Sequence, residues 1–358
     1  MALDGWKERL FRQYLYWQCR PARLRKRLGA LLEERKAPPM RENHLNVAAL
    51  QVQIELFANP TGYIDMIHRR VREAVAFGAH LVAFPEYNSL SLLGMLPGVA
   101  EMGETISAVK EETTQEEATR NKASTITVTD VIHYIGPVIA PFLDTLYSSL
   151  AAAYGIYLMA GSLLLPEGDK VVNRAFLYGP SGELIGIQDK VHLMPIEMEW
   201  GITPGSEFNL FDTGVAKIAA PVCMDATYFE TFRILELKGA EIVIIPIANP
   251  EPYNHYLALR GIWPRVQEAP VYGIKSAIVG SLLGFEFTGR AGIFAPAELT
   301  SDGSGVLDMV ESPEKEGIAF ATIDLGALRE LRQDHPWRDS NPALYRRYFP
   351  RVYQGIQE

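Results

Sequence analysis

Cysteine is almost absent from this chain. Its 358 residues hold two, Cys19 and Cys223, far apart in sequence. That excludes a disulfide framework and suits a reducing compartment. Positive charge is also in deficit. There are 34 Lys and Arg against 43 Asp and Glu, a net charge of -9, which argues against nucleic acid as the main partner. The basic residues are unevenly spread: residues 1–36 hold ten Lys/Arg and four Asp/Glu, a local +6, and the remainder carries -15. No fixed-period repeat is present. The N-terminus lacks the apolar run and small-residue cleavage site of a secretory signal, so a cytoplasmic location is expected. One stretch, residues 145–166, runs for 22 residues without a charge, long enough to span a bilayer. It is interrupted by Tyr147, Ser148, Ser149, Tyr154 and Gly155, and reads as a buried helix, a glycine break and a buried strand.

What remains is an ordinary soluble composition, 48% hydrophobic and 22% charged, able to bury a core. The length allows one large domain or two ordinary ones. Residues 1–40 read as a separate helical extension. Trp6, Leu10, Phe11, Tyr14 and Trp17 recur at helical spacing beside Lys7, Arg9 and Arg12, and a basic helix follows Pro21. Two readings stand for it: an arm packed on the body or on a second subunit, or an interfacial helix at the inner face of an anionic membrane.

Beyond Pro39, strands and helices alternate. Strands are expected at residues 46–52, 79–85, 156–165, 172–178, 183–190, 217–223, 242–246, 275–283, 290–294 and 318–323. Helices are expected at 63–77, 137–154, 228–238, 253–272 and 325–332. Residues 98–135, polar and Thr-rich, read as an inserted loop or lid, and 336–358 as a proline-broken tail. The expectation is one large mixed-sheet α/β domain over 41–335, with ligands at the carboxyl ends of the strands.

Three strand ends carry reactive groups. Glu86 ends an apolar run in Phe84-Pro85-Glu86-Tyr87, Lys190 sits in Asp189-Lys190-Val191-His192-Leu193, and Cys223 closes Ala219-Ala220-Pro221-Val222. A carboxylate can take the proton of a thiol, and a lysine can favour the thiolate and stabilise an oxyanion. Singly, each is an ordinary residue: a surface carboxylate, a solvated lysine, a packing cysteine. Jointly, ionisable groups ending apolar strands cost desolvation unless they are paired.

These three motifs, in this order, resemble the signature motifs of the nitrilase, or carbon–nitrogen hydrolase, superfamily. The resemblance covers about residues 45–335 and includes Asn173-Arg174-Ala175, the turn Gly179-Pro180-Ser181-Gly182, Arg265 with Glu268, and Asp324-Leu325. It implies a four-layer α-β-β-α sandwich, a homodimer or higher homo-oligomer, and no metal or organic cofactor. It implies Glu86 as general base, Cys223 as nucleophile and thioester carrier, and Lys190, with the backbone N–H of Met224, as oxyanion support. Met194-Pro195-Ile196-Glu197 resembles the segment of the amidase-like branch that carries a second glutamate. Glu197 is assigned to substrate positioning, with Glu199 as the alternative. Tyr87, Met224 and Asn249 are expected to contact substrate.

The departures bear on substrate. Met224-Asp225 follows the cysteine where nitrile hydrolases typically carry Trp-Glu, which points toward amidases and carbamoylases. Phe229 stands where the family usually has proline. The expected activity is hydrolysis of a small amide or N-carbamoyl compound. A nitrilase, a membrane-associated acyltransferase using the same cysteine, and a non-catalytic scaffold are the alternatives.

Overall fold

In the computed structural model, strand β1 (His44–Gln53) is buried on both faces. Strand side chains alternate, so Val47 and Ala49 enter one core with Leu81, Met159, Ile244 and Ile274. Ala48, Leu50 and Val52 enter another, with Val71, Phe142 and Leu146. The structure describes residues 5–32, 36–99, 127–334 and 341–355.

The remaining strands are β2 (Leu81–Ala83), β3 (Tyr157–Glu167), β4 (Lys170–Tyr178), β5 (Leu184–Asp189), β6 (Phe211–Asp212), β7 (Lys217–Ala219), β8 (Ile242–Ile247), β9 (Tyr272–Leu282), β10 (Phe285–Phe287), β11 (Gly292–Phe294), β12 (Val306–Met309) and β13 (Gly317–Asp324). Two sheets emerge from their pairing. The first runs β13-β1-β2-β3-β4-β5 and the second β12-β11-β9-β8-β7-β6. They are joined where Gln51, Val52 and Gln53 pair in parallel with Ala277, Ile278 and Val279. The core holding Val47 and Ile274 fills the space between the sheets.

Helices cover the outer faces. Helices α1 (Gly5–Gln18), α2 (Pro21–Leu31), α3 (Pro60–Ala76) and α4 (Val128–Tyr154) lie on the first sheet's side. Past α5 (Pro195–Glu199), helices α6 (Phe229–Lys238), α7 (His255–Arg260) and α8 (Trp263–Glu268) flank the second sheet, where Phe232, Leu235, Ile262 and Val266 pack on Ala219, Val243 and Ile245. Helices α9 (Leu325–Asp334) and α10 (Pro342–Tyr353) close the chain. The layers read α-β-β-α, as the resemblance implied.

Several local expectations are corrected. Helix α4 begins at Val128, not 137, because Thr127 and Asp130 form a reciprocal capping box; the Thr-rich sequence concealed a helix start. The rest of the polar stretch, 100–126, lies outside the described residues. Helix α4 is long and apolar enough to cross a membrane, but Phe142, Leu143, Leu146 and Leu150 are buried in the core, as expected of a core helix. Gly155, at φ 64°, ends it. The helix expected over 253–272 is two short helices, and Tyr272 already belongs to β9. The C-terminal segment contains the regular helix α10: Pro342 stands in its first turn, where proline is tolerated, and Asn341 caps it.

The N-terminal aromatic stripe faces outward. Trp6, Leu10, Tyr14 and Trp17 are exposed, whereas Leu15, Cys19, Leu24 and Leu28 are buried against the body. Burial raises the Cys19 thiol to about 12, so this cysteine packs.

Candidate active site

Glu86 meets Lys190 and Glu197, which come much later in the chain, beyond the carboxyl ends of β2 and β5, each 1% exposed. Glu86 follows β2 and bridges to Ser162 of β3. The chain passes here only because residue 161 is glycine: a Cβ on Gly161 would lie 1.9 Å from the Pro85 carbonyl oxygen. Lys190 follows β5, its backbone N–H donating to Asn173 of β4. Its ammonium lies 2.9 Å from Glu86 Oε1 and 2.8 Å from Glu197 Oε2. Glu199, on the opposite side of the short helix α5, is exposed. Of the two candidates, Glu197 is therefore the one in the cluster.

Cys223 is not on a strand. β7 ends at Ala219, and Cys223 opens a 3₁₀ turn (Cys223–Thr227) with φ 46°. Tyr87, beside Glu86, also has positive φ, 60°. Non-glycine residues in this region carry strain that the surroundings must maintain. At the turn, the maintaining residue is Asp225, fully buried. Its carboxylate accepts from Val222 N at 2.9 Å, His192 N at 2.7 Å and His192 Nδ1 at 2.9 Å. It thereby fastens the turn bearing the thiol to the segment after Lys190.

The thiol hydrogen-bonds to the Glu86 carboxylate and receives the Ala248 N–H, which also reaches Glu86 Oε2 at 3.0 Å. Burial, then the Glu86 charge, push the thiol well above its ordinary range, so it rests protonated. Burial also raises Glu86, against the opposing pull of Lys190. For Lys190, burial alone lowers the pKa, but Glu86, Cys223 and Glu197 outweigh it and the ammonium stays charged. One cation thus stands among two carboxylates and a thiol, away from water.

Glu197 is held by the Tyr87 hydroxyl, by Asn173 Nδ2 at 3.3 Å and by Met194 N–H at 2.7 Å. Asn173 Nδ2 also donates to Glu86 at 2.9 Å. No site role was expected of Asn173 or Asp225 from sequence. The signal for Asn173 was a polar residue amid the apolar β4 pattern, where an inward amide needs a partner.

Two cavities flank the cluster. One, about 140 Å³, is lined by Cys223, Asn249, Thr227 and Lys275. The other, about 210 Å³, is lined by Tyr87, Glu197, Trp200, Phe285 and Phe287 and is strongly apolar. Asn249 and Tyr87 thus line the cavities, one each. Met224 lines neither and lies on the turn beside the sulfur. Phe229 begins helix α6 and faces a surface groove shared with Tyr345 and Phe349 of α10.

Comparison with known proteins agrees with this architecture. A probable hydrolase of Bacillus subtilis, YhcX, is 33% identical over 197 residues, which span 53% of this chain but only 38% of YhcX. A nitrilase of Pyrococcus abyssi is 33% identical over 189 residues, 52% of this chain and 67% of that protein. The crystal structure of a carbon-nitrogen hydrolase from Helicobacter pylori superposes with a TM-score of 0.64 at 20% identity, over 87% of this chain and 99% of that one. The sequence profile of the carbon-nitrogen hydrolase family matches residues 46–333, and the chain belongs to that family.

Proposed function

We propose that this protein hydrolyses a small non-peptide amide or N-carbamoyl compound through a thioester on Cys223. The observation that carries the reading is the buried contact of a protonated thiol with a carboxylate that is itself paired to an ammonium. A neutral thiol is a weak nucleophile, and the base that activates it must lie within hydrogen-bond reach.

Glu86 takes the thiol proton as Sγ attacks the carbonyl carbon. The carbonyl π electrons move to oxygen, and the oxyanion is stabilised by Lys190 and the Met224 N–H. The oxyanion collapses, the C–N bond breaks, and Glu86 returns its proton to the departing nitrogen, releasing ammonia or an amine. Water then attacks the thioester, giving its proton to Glu86. Collapse of the second intermediate expels the thiolate, which regains that proton, and frees the acid. Glu197, held by three donors beside Lys190, positions substrate and keeps Lys190 aligned.

Amides are favoured over nitriles because Met224-Asp225 follows the cysteine, and Asp225 is committed to bracing the turn. The test uses a matched pair, butyramide and butyronitrile, with ammonia release followed alongside intact-protein mass. Release from the amide with an acyl adduct on Cys223 is expected. Turnover of the nitrile alone, or turnover with no involvement of Cys223, sinks the reading.

A further inference from the structure

Lys275 interrupts the apolar strand Gly273-Ile274-Lys275-Ser276-Ala277 and is 4% exposed. It stands opposite Ile245 in the β8/β9 pairing, on a sheet that is otherwise packed with aliphatic side chains. Its ammonium donates to the Ala258 carbonyl at 3.3 Å and lies 5.6 Å from the Phe294 ring centre. No carboxylate among the described residues pairs with it. The charge that acts on it is another cation, Arg290. Burial, with Arg290, lowers Lys275 to about 8. A cation taken out of water without a counter-ion is costly, and one long hydrogen bond satisfies only part of its donor capacity.

Lys275 lines the same cavity as Cys223. At about 140 Å³, the cavity far exceeds the ~10–15 Å³ that one water needs. Glu251 and Arg260 also line it, but both are exposed to solvent, where their charges are screened. Among the described residues, the only buried charge facing the cavity from β9 is therefore positive, and no carboxylate pairs with it.

We infer that Lys275 is a specificity-determining residue that receives an anionic group, a carboxylate, on the acyl part of the substrate. The substrate class is then a monoamide of a short dicarboxylic acid. This inference rests on the amidase reading and deepens it. The carboxylate supplies the counter-ion that the described residues do not, and gains from a charge-assisted hydrogen bond to a buried ammonium. A neutral amide of equal length leaves the cation unpaired, which is how a buried polar group discriminates against a substrate lacking its partner.

The experiment compares succinamate with butyramide on the full-length enzyme, its Lys275→Met variant and its Lys275→Arg variant. The wild type is expected to favour succinamate by about 10- to 100-fold in kcat/KM. Lys275→Met should erase most of that ratio, chiefly through KM, and Lys275→Arg should restore part of it. Thermal melts check that the variants fold. If butyramide is hydrolysed as well as succinamate, or the ratio survives Lys275→Met, the inference fails and the amidase reading stands. If neither amide is hydrolysed, the amidase reading fails, and protection of Cys223 from iodoacetamide decides the anion site. Protection by succinate but not by butyramide, lost in Lys275→Met, supports it; equal or absent protection overturns it.

Discussion

Lys190 and Glu86 form an ion pair at 2.9 Å with both side chains only 1% exposed. At that depth neither charge can fall back on water. Breaking a buried pair from one side typically costs about 3–5 kcal/mol. Lys190→Met should therefore unfold at much lower denaturant concentration than the wild type, since it strands Glu86 and Glu197 together. A midpoint unchanged within about 0.5 kcal/mol of stability would mean that the pair contributes nothing net to the fold.

Cys223→Ala should lose turnover by about a thousandfold or more while keeping the fold, since it removes a small nucleophilic group. Circular dichroism and steady-state kinetics check both halves. Glu86→Gln should lose about a hundredfold or more in kcat, because general-base catalysis contributes on that scale. Residual activity near wild type in either variant is incompatible with the proposed chemistry.

The pH profile should show an acid limb displaced upward. Glu86 acts as base only when ionised, and burial raises its pKa above the ordinary 4.5. Activity should fall as pH drops through that raised value, so kcat/KM declines at a higher pH than an exposed glutamate would give. Glu86→Gln, with its low residual rate, should lack that limb.

Asp225→Asn tests the brace. An amide cannot accept from Val222 N, His192 N and His192 Nδ1 with the same set of oxygens. The turn at Cys223 should loosen, with kcat falling about 10- to 100-fold and the iodoacetamide reaction at Cys223 changing in parallel. An unchanged alkylation rate beside a reduced kcat would assign Asp225 a different role.

Lys275 offers a stability test with a defined sign. Its folded pKa, about 8, lies below the ordinary 10.5. The unfolded state therefore binds more protons between those values, and wild-type stability gains from this group as pH rises from 8 to 10.5. Below pH 8 the buried charge costs roughly 3 kcal/mol by the size of that shift. Lys275→Met should be the more stable protein at pH 7, with the difference shrinking toward pH 10.5. Thermal melts of both proteins across that range measure it.

Much of this site was legible in the chain because apolar strands that end in ionisable residues violate the ordinary cost of burial. Glu86, Lys190 and Cys223 were visible for that reason, although Cys223 lies in a turn beyond the end of its strand; the layers came from the family resemblance. Lys275 carried the same signal, a charge inside an apolar strand, but within the strand rather than at its end. The start of helix α4 and the helix in the C-terminal segment were obscured because threonines and prolines serve equally as loop residues and as helix starts.

By itself, then, the sequence determined which side chains could not be buried alone and where the strands ran. Tertiary structure decided their partners. It chose Glu197 over Glu199 by turning one face of a short helix inward, recruited Asn173 and Asp225 as braces, and left Lys275 without a counter-ion among the described residues. Those outcomes depend on distances between segments far apart in the chain. Such distances are set by how two sheets and their helices pack, which local sequence does not encode.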